Sequence, residues 1–347
     1  MARSVIGLDI GTTSVRAVEV ERGRGAPVLL RYAEAPVPIG AVRDGEVVEP
    51  DGVVDALRRI WAEGRFSHRD VVLGVGNQRV MVRRLELPWM PVAQIRASLP
   101  FQVQGTLPVA VEDSLLDYYP TAEYQGANGR TLQGLLVAAT RDTVQSNLSA
   151  AESAGLRPLM VDLNGFALLR AQTMGEFADR TIAFVDIGAR ITNVVVAERG
   201  MPRFVRTLAA GGQDATDAVA AEMSVSVPEA EAIKRQVGVG FAVAPELQRA
   251  AETINQVTQG LVESIRNTLV YDSSNNPGGA AELVVLTGGG SYLTGLGQYL
   301  SSACRMPVTV GDLFGSVSVS RAAQLAPLQG AESTIAVALG LALAVAA

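Results

Sequence analysis

The chain has 347 residues, of which 48% are hydrophobic and 18% charged, and a net charge of −6. That length exceeds one ordinary core and predicts two to four subdomains, and so apolar a composition excludes global disorder. The acidic balance without a long basic run argues against nucleic acid as the main partner, and a single cysteine, Cys304, excludes an internal disulfide framework and fits a reducing compartment.

Met1-Ala2-Arg3-Ser4 leads directly into an apolar strand pattern, without the charged region, long apolar stretch and cleavage site of a secretory signal. Val5 to Val20 reads as a β-hairpin: an apolar run, Asp9-Ile10-Gly11, the polar turn Thr12-Thr13-Ser14, then a second valine-rich run. Asp51 to Trp61 carries Val53, Val54, Leu57, Ile60 and Trp61 at helical spacing. His68, the only histidine, falls in a loop before a strand and has no cysteine near it for a zinc site. Val71–Val75 and Val80–Leu85 read as strands.

At Leu87-Pro88-Trp89-Met90-Pro91 the pattern breaks and a new unit begins. A helix is predicted from Val92 to Gln104 and a strand from Ser114 to Pro120. A turn at Gly126-Ala127-Asn128-Gly129 leads to a strand from Gly134 to Thr140, and a helix from Thr143 to Ala154 stops at Gly155. Residues 87–156 thus read as a small α+β insertion. Ile182 to Val196 then repeats the first hairpin, with Asp186-Ile187-Gly188 at its turn. Helices follow over Asp214–Met223, from Pro228 through Glu231 and Lys234, and over Pro245–Tyr271. The strand Leu283–Leu286 runs into Thr287-Gly288-Gly289-Gly290-Ser291, and a helix spans Gly295–Ser302. Ser333–Ala347 reads as an apolar helix, and its most apolar part, from Ile335, is shorter than the ~20 residues that span a bilayer.

A triphosphate needs many donors at close range. Glycine-rich turns supply backbone N–H groups without side chains in the way, and Thr12, Thr13 and Ser14 add hydroxyls. Magnesium takes oxygen ligands and keeps several waters. Asp9 and Asp186, one from each hairpin, are placed to attract a hydrated dication from two sides. Gly288-Gly289-Gly290 offers a flat approach to a nucleoside, with Glu231 and Lys234 for the ribose and base edge. Each element alone has a blander reading: a turn, a flexible loop, a solvated helix face. Their order and repetition carry the case.

That order resembles the actin, sugar kinase and heat-shock chaperone ATPase superfamily. Gly7-Leu8-Asp9-Ile10-Gly11-Thr12-Thr13-Ser14 resembles its first phosphate motif, Phe184-Val185-Asp186-Ile187-Gly188 its second, and Leu286-Thr287-Gly288-Gly289-Gly290-Ser291 its adenosine motif. Val161 to Leu168 and Thr334 to Ala347 look like the two connecting helices. Within it the chain is similar to the PilM family of type IV pilus assembly proteins. Leu85-Glu86-Leu87-Pro88-Trp89-Met90-Pro91, Leu135 to Thr140, Ala154-Gly155-Leu156-Arg157-Pro158, Gly211-Gly212-Gln213-Asp214 and Glu231-Ala232-Ile233-Lys234 carry this likeness.

The resemblance implies an α/β fold of duplicated ribonuclease H-like lobes with a small α+β (SHS2) insertion. The first lobe takes residues 1–86 with 157–180 and 333–347, the partner-binding insertion 87–156, and the second, nucleotide-binding lobe 181–332. It implies ATP and Mg2+ as cofactors. Asp9, Gly11, Thr12, Thr13, Ser14, Asp186, Gly188, Ala189, Arg190, Gly211, Gly212, Glu231, Lys234, Gly288, Gly289, Gly290 and Ser291 would hold the nucleotide, with Asp9 and Asp186 nearest the metal. Arg190 either reaches a phosphate or points to solvent. Ile191, where such turns often carry a polar residue, leaves slow or absent hydrolysis open. The implied role is a cytoplasmic scaffold of the pilus assembly platform and of twitching motility, peripheral on the inner membrane. It would bind the N-terminal tail of a PilN-like single-span protein and connect to the motor proteins. Leu87, Trp89, Met90, Ile95 and Leu99 are the candidate partner groove, or alternatively core residues that pack the insertion. An FtsA-like filament protein, or a small-molecule kinase of the same superfamily, are the competing readings.

Overall fold

The computed structural model describes residues 3–344, apart from 24, 106, 108, 128, 173–176, 178, 316, 322, 324–327 and 331. Asn128 of the predicted turn and residues 345–347 of the predicted terminal helix lie outside the described residues. The first third runs β1 (Arg3–Ile10), β2 (Ser14–Arg22), β3 (Val28–Pro36), β4 (Val42–Arg43), β5 (Glu46–Val47), α1 (Pro50–Gly64), β6 (Asp70–Val75), β7 (Val80–Pro88) and α2 (Val92–Gln102). Next come β8 (Ser114–Gly126), β9 (Gly129–Thr140), α3 (Arg141–Ser153), β10 (Arg157–Leu163), α4 (Asn164–Gln172), β11 (Thr181–Ile187), β12 (Thr192–Glu198) and β13 (Met201–Leu208). The chain continues with α5 (Gly212–Met223), α6 (Val227–Val237), α7 (Gln248–Asn275), β14 (Leu283–Thr287), α8 (Leu296–Cys304), β15 (Val308–Val310), β16 (Ser318–Val319) and α9 (Ala336–Ala342).

The repeat seen in the sequence is a repeat of topology. One sheet has the order β10-β6-β1-β2-β3-β16 and the other β13-β12-β11-β14-β15. Read from the third strand of each unit, β3-β2-β1-β6-β10 matches β13-β12-β11-β14-β15, with two antiparallel then two parallel pairings in both. Even the irregularities correspond: the register slips between Glu19 and Val20 in one ladder, and between Val196 and Ala197 in the other. The strands nearest the centre are buried on both faces, which explains their near-continuous apolar runs.

Helices α4 and α9 lie between the sheets, and Phe166, Leu168, Ala338 and Leu339 share one core with Val18 and Leu29 of the first sheet and Phe184 and Val285 of the second. The two helices touch backbone to backbone. A Cβ on Gly340 would fall 1.8 Å from the Ala167 carbonyl oxygen, so only glycine fits there. Among the described residues no helix is long and apolar enough to cross a membrane.

Several boundaries differ from expectation. The inserted sheet, β7-β9-β8, starts at Val80, and α2 covers one of its faces. Helix α3 packs Ala150, Ala151 and Ala154 against Leu57, Ile60 and Leu73 of the first lobe. The inserted layer therefore occupies 80–140, and the stretch to 156 returns to the first lobe. The chain also comes back before 333, because β16 pairs with β3. The expected helix from Val161 begins instead at Asn164, since Val161 and Leu163 are held in a parallel ladder with Leu73 and Val75. Helix α7 runs past Tyr271 to Asn275, where Ser273, Ser274 and Asn275 bond back to the carbonyls of Val270 and Tyr271.

Leu87, Ile95 and Leu99 are 3%, 0% and 0% exposed and form the core between α2 and the inserted sheet with Tyr118, Leu132 and Leu136. As a partner groove these three are corrected: their side chains are consumed in holding the subdomain together. Met90 packs partly against the same core. Trp89 is 43% exposed, with the Arg130 guanidinium 4.2 Å above its ring.

Candidate functional site

The two hairpins turn by the same hydrogen bond. Gly11 N donates to Ser14 O at 3.0 Å, and Gly188 N donates to Ile191 O at 2.8 Å. A Cβ on either glycine would lie 2.9 Å from that accepting oxygen, so both turns require the residue. Each aspartate stands two positions before its glycine, at the end of a buried strand, and both are 9% exposed. The turns face one cleft of about 570 Å³ between the lobes.

The cleft is strongly charged. Burial pushes the Asp9 carboxyl up to about 6, opposed by Arg16 and reinforced by Asp186 and Glu34. Burial also raises Asp186, against the hydrogen bonds it accepts from Thr287 and Asn193. Arg16 lies 3.9 Å from Asp9 and 2.9 Å from Glu34, whose other oxygen accepts from the Tyr32 hydroxyl at 2.6 Å.

The second turn is clamped to α5. Gly212 N donates to Gly188 O at 2.9 Å and Gln213 N to Ala189 O at 2.8 Å. A Cβ on Gly211 would meet the Ala189 and Gly188 oxygens at 2.5 and 2.6 Å. Behind this, Lys234 is 8% exposed and its ammonium reaches three acceptors: Gly212 O at 2.9 Å, Thr216 Oγ1 at 2.9 Å and Glu231 Oε2 at 2.6 Å. It is the only lysine in the chain. A compact ammonium with three donors matches that cage, where a planar guanidinium would not. At the other wall Gly288 has φ +80°, a conformation that favours glycine, and a Cβ there would lie 2.4 Å from Ile187 O. Gly289 meets nothing within 4 Å on the side where a Cβ would stand.

Asp9, Gly11, Thr12, Thr13, Ser14, Asp186, Gly188, Ala189, Gly212, Glu231, Lys234, Gly288, Gly289 and Gly290 line this cleft together. Three expected residues do not. Arg190 donates to Asp214 at 2.7 Å and also pairs with Asp217, so its charge is already matched away from the cleft. Gly211 caps α5, donating to Asp214 Oδ2 at 2.8 Å. Ser291 donates its hydroxyl to Gly288 O at 2.7 Å and holds its own turn. Residues missed from the sequence include Arg16, Glu34, Asn164, Asn193 and Gln213. Arg16 and Asn193 had a signal: both stand opposite an aspartate in a recognised hairpin. Asn164 had none, since it is brought to the cleft by β10 and wedged against Gly74 and Gly76.

The donor set fits a magnesium triphosphate. Two carboxylates, with Asp186 close enough to raise Asp9, meet in one cavity with glycine turns and Arg16, and Asn164 Oδ1 is buried without a partner among the described residues. Among the described residues no group of three or more His, Cys, Asp or Glu is placed to hold a metal ion; magnesium commonly uses one or two carboxylates together with phosphate oxygens and waters.

The family described as "Type IV pilus assembly protein PilM" matches residues 7–346. A solved "PilM-PilN type IV pilus biogenesis complex" is 29% identical, with TM-score 0.85 over 98% of this chain and 97% of that one. MreB5 of Spiroplasma citri bound to ADP is 13% identical, with TM-score 0.55 over 97% and 94% of the two chains, and shares the fold. Cell division protein FtsA of Bacillus subtilis is 21% identical over 262 residues, which span 68% of this chain and 58% of that protein's length.

Proposed function

The chain belongs to the PilM family of type IV pilus assembly proteins, and on that premise we propose that it is an Mg-ATP-binding scaffold whose lobes close on the nucleotide. One observation carries the reading: two equivalent glycine turns from separate lobes, each with a buried aspartate, face a single cleft. Asp9 and Asp186 would attract the hydrated metal, Arg16 and the turn N–H groups the phosphates, and the Gly288–Gly290 turn with Glu231 the nucleoside. Bound magnesium would neutralise the triphosphate. The remaining residues orient it: Thr287 and Asn193 fix Asp186, Glu34 fixes Arg16, and Lys234 fixes the start of α5. Arg190, Gly211 and Ser291 enter as supports of these turns, not as ligands.

The partner in this reading is the cytoplasmic N-terminal tail of a PilN-like membrane protein, which places the chain peripherally on the inner membrane and links it to the pilus motor. The structural likeness to a PilM–PilN complex supports it. An extended tail gains backbone hydrogen bonds and places alternate side chains in pockets. ATP shifts lobe closure only by its differential affinity for the open and closed states.

Calorimetry tests both halves. Mg-ATP should bind the intact chain, and Asp9→Ala should weaken binding by roughly 1–3 kcal/mol through loss of charge-assisted contacts. Tail-peptide affinity is then measured with and without Mg-ATP, and equal values remove the coupling.

A further inference from the structure

The short β4–β5 hairpin turns at Asp44 and Gly45, with φ of 51° and 79°, the two-residue type I′ geometry. Its tip is tightly seated. A Cβ on Gly45 would lie 2.7 Å from Gly76 O, 3.1 Å from Asn77 Cβ and 3.1 Å from Ile191 Cδ1. Gly76 and Asn77 are first-lobe residues. Ile191 belongs to the second-lobe turn, and its carbonyl closes that turn by accepting from Gly188. Gly45 and Ile191 both line the nucleotide cleft, so the lobes meet here side chain against backbone.

Behind the tip the hairpin is fastened to α3. Asn147 Nδ2 donates to Gly45 O at 3.1 Å, and Val47 N donates to Asn147 Oδ1 at 3.2 Å. The Glu46 carboxylate accepts from Thr143 Oγ1 at 2.5 Å and Asn77 Nδ2 at 3.0 Å, and pairs with Arg79 at 3.3 Å. Thr143 and Thr140 hydroxyls are 2.8 Å apart, and Thr140 closes β9, the central strand of the inserted sheet. A continuous set of contacts therefore runs from the second-lobe turn to the end of the central strand of the inserted sheet.

We propose that the Asp44-Gly45 hairpin senses the position of the second-lobe turn through Ile191 and passes it to the inserted subdomain through Asn147 and Thr143. The inference rests on the nucleotide reading above and adds to it how the cleft would speak to the partner-binding layer. The two joints differ in kind. Ile191 on Gly45 is a van der Waals contact, which resists compression steeply and pulls weakly. The Asn147 and Glu46 joints are partly buried, mutually satisfied hydrogen bonds, which hold one arrangement more firmly than a single apolar contact. The relay therefore transmits closure of the lobes, and opening releases it. Ile191 acts in this scheme through Gly45, as a positioning residue.

The test is hydrogen–deuterium exchange on the full chain with and without Mg-ATP, with calorimetry alongside, for the wild type, Thr143→Val and Asn147→Ala, both outside the cleft lining. Valine keeps the shape of Thr143 and deletes only the hydroxyl that reaches Glu46, so the fold is kept if Asn147→Ala proves too disruptive. In the wild type, Mg-ATP should protect both glycine turns and also residues 42–47 and 129–147. In Thr143→Val, protection of the turns and of 42–47 and the calorimetric affinity should persist, while that of 129–147 is largely lost. Equal protection of 129–147 in wild type and Thr143→Val overturns the relay and leaves the nucleotide reading standing. So does a wild type protected at the turns alone. A wild type with neither heat of binding nor protection at the turns overturns the nucleotide reading and the relay together.

Discussion

Arg16 and Asn193 occupy the same place in the two hairpins, each directly opposite its aspartate, yet one is a cation and the other an amide. The backbone duplication is thus broken in charge. Asp9 faces a guanidinium shared with Glu34, whereas Asp186 is held by the neutral groups of Thr287 and Asn193. The first hairpin carries a fixed positive charge, and the second offers the less neutralised carboxylate.

The Asp9 carboxyl, pushed up to about 6 chiefly by burial, gives a pH dependence of definite sign. Its folded pKa lies above the unfolded value, so the fold binds that proton more tightly. Ionising it costs stability, and the cost grows between about pH 4 and pH 6 and is constant above that. Asp9→Asn should therefore unfold at a higher temperature than wild type above pH 6, with the difference vanishing toward pH 4. A difference independent of pH would contradict this. Because a magnesium site needs the carboxylate, Mg-ATP affinity should fall as pH drops below about 6.

Lys234 can be read out on its own because no other lysine exists in the chain. Lys234→Met leaves Thr216 and Gly212 O without the amine they share. Urea unfolding should show a loss of about 1–3 kcal/mol. Mass spectrometry after brief treatment with an amine-acylating reagent should show a side-chain adduct at Lys234 that Mg-ATP suppresses. An adduct formed equally with and without nucleotide would place the ligand elsewhere.

Gly340→Ala should separate α4 from α9, since the new methyl would overlap the Ala167 carbonyl. Overpacking of this kind costs about 1–3 kcal/mol, and more where backbone is the obstacle. A lowered melting temperature is expected, and an unchanged one would show that the helices slide freely.

The inserted subdomain separates two kinds of residue. Ile95→Ala removes a fully buried side chain and should cost about 2–5 kcal/mol of stability. Trp89→Ala removes an exposed ring and should leave the fold intact. If the tail binds beside this residue, tail-peptide affinity falls in Trp89→Ala at unchanged melting temperature. If affinity holds, the contact surface lies elsewhere on the subdomain.

The hairpins, their glycine turns and the duplication were legible in the sequence because they are local. Asp9-Ile10-Gly11 and Asp186-Ile187-Gly188 sit in short segments whose alternation, valine content and turn residues already specify a strand, a turn and a strand. Buried parallel strands and the long α7 were legible for the same reason. Less so were Arg190 and Ser291. Both sit inside recognisable motifs, but whether a side chain turns to the ligand or to a neighbour depends on what another element presents, and here Asp214, Asp217 and the Gly288 carbonyl claim them.

The partner groove shows the same limit. An apolar run such as Leu87, Ile95 and Leu99 has one hydrophobicity whether it lines a groove or fills a core, and only the packing of α2 on the inserted sheet decided for the core. The residues of this chain alone determined that two alike glycine turns, each with one acidic side chain, would form. Tertiary structure alone decided that they face a common cleft, that Arg16 and Asn164 stand in it, and that a two-residue hairpin touches Ile191 across it. Those facts depend on distances between segments far apart along the chain, which local preference does not encode.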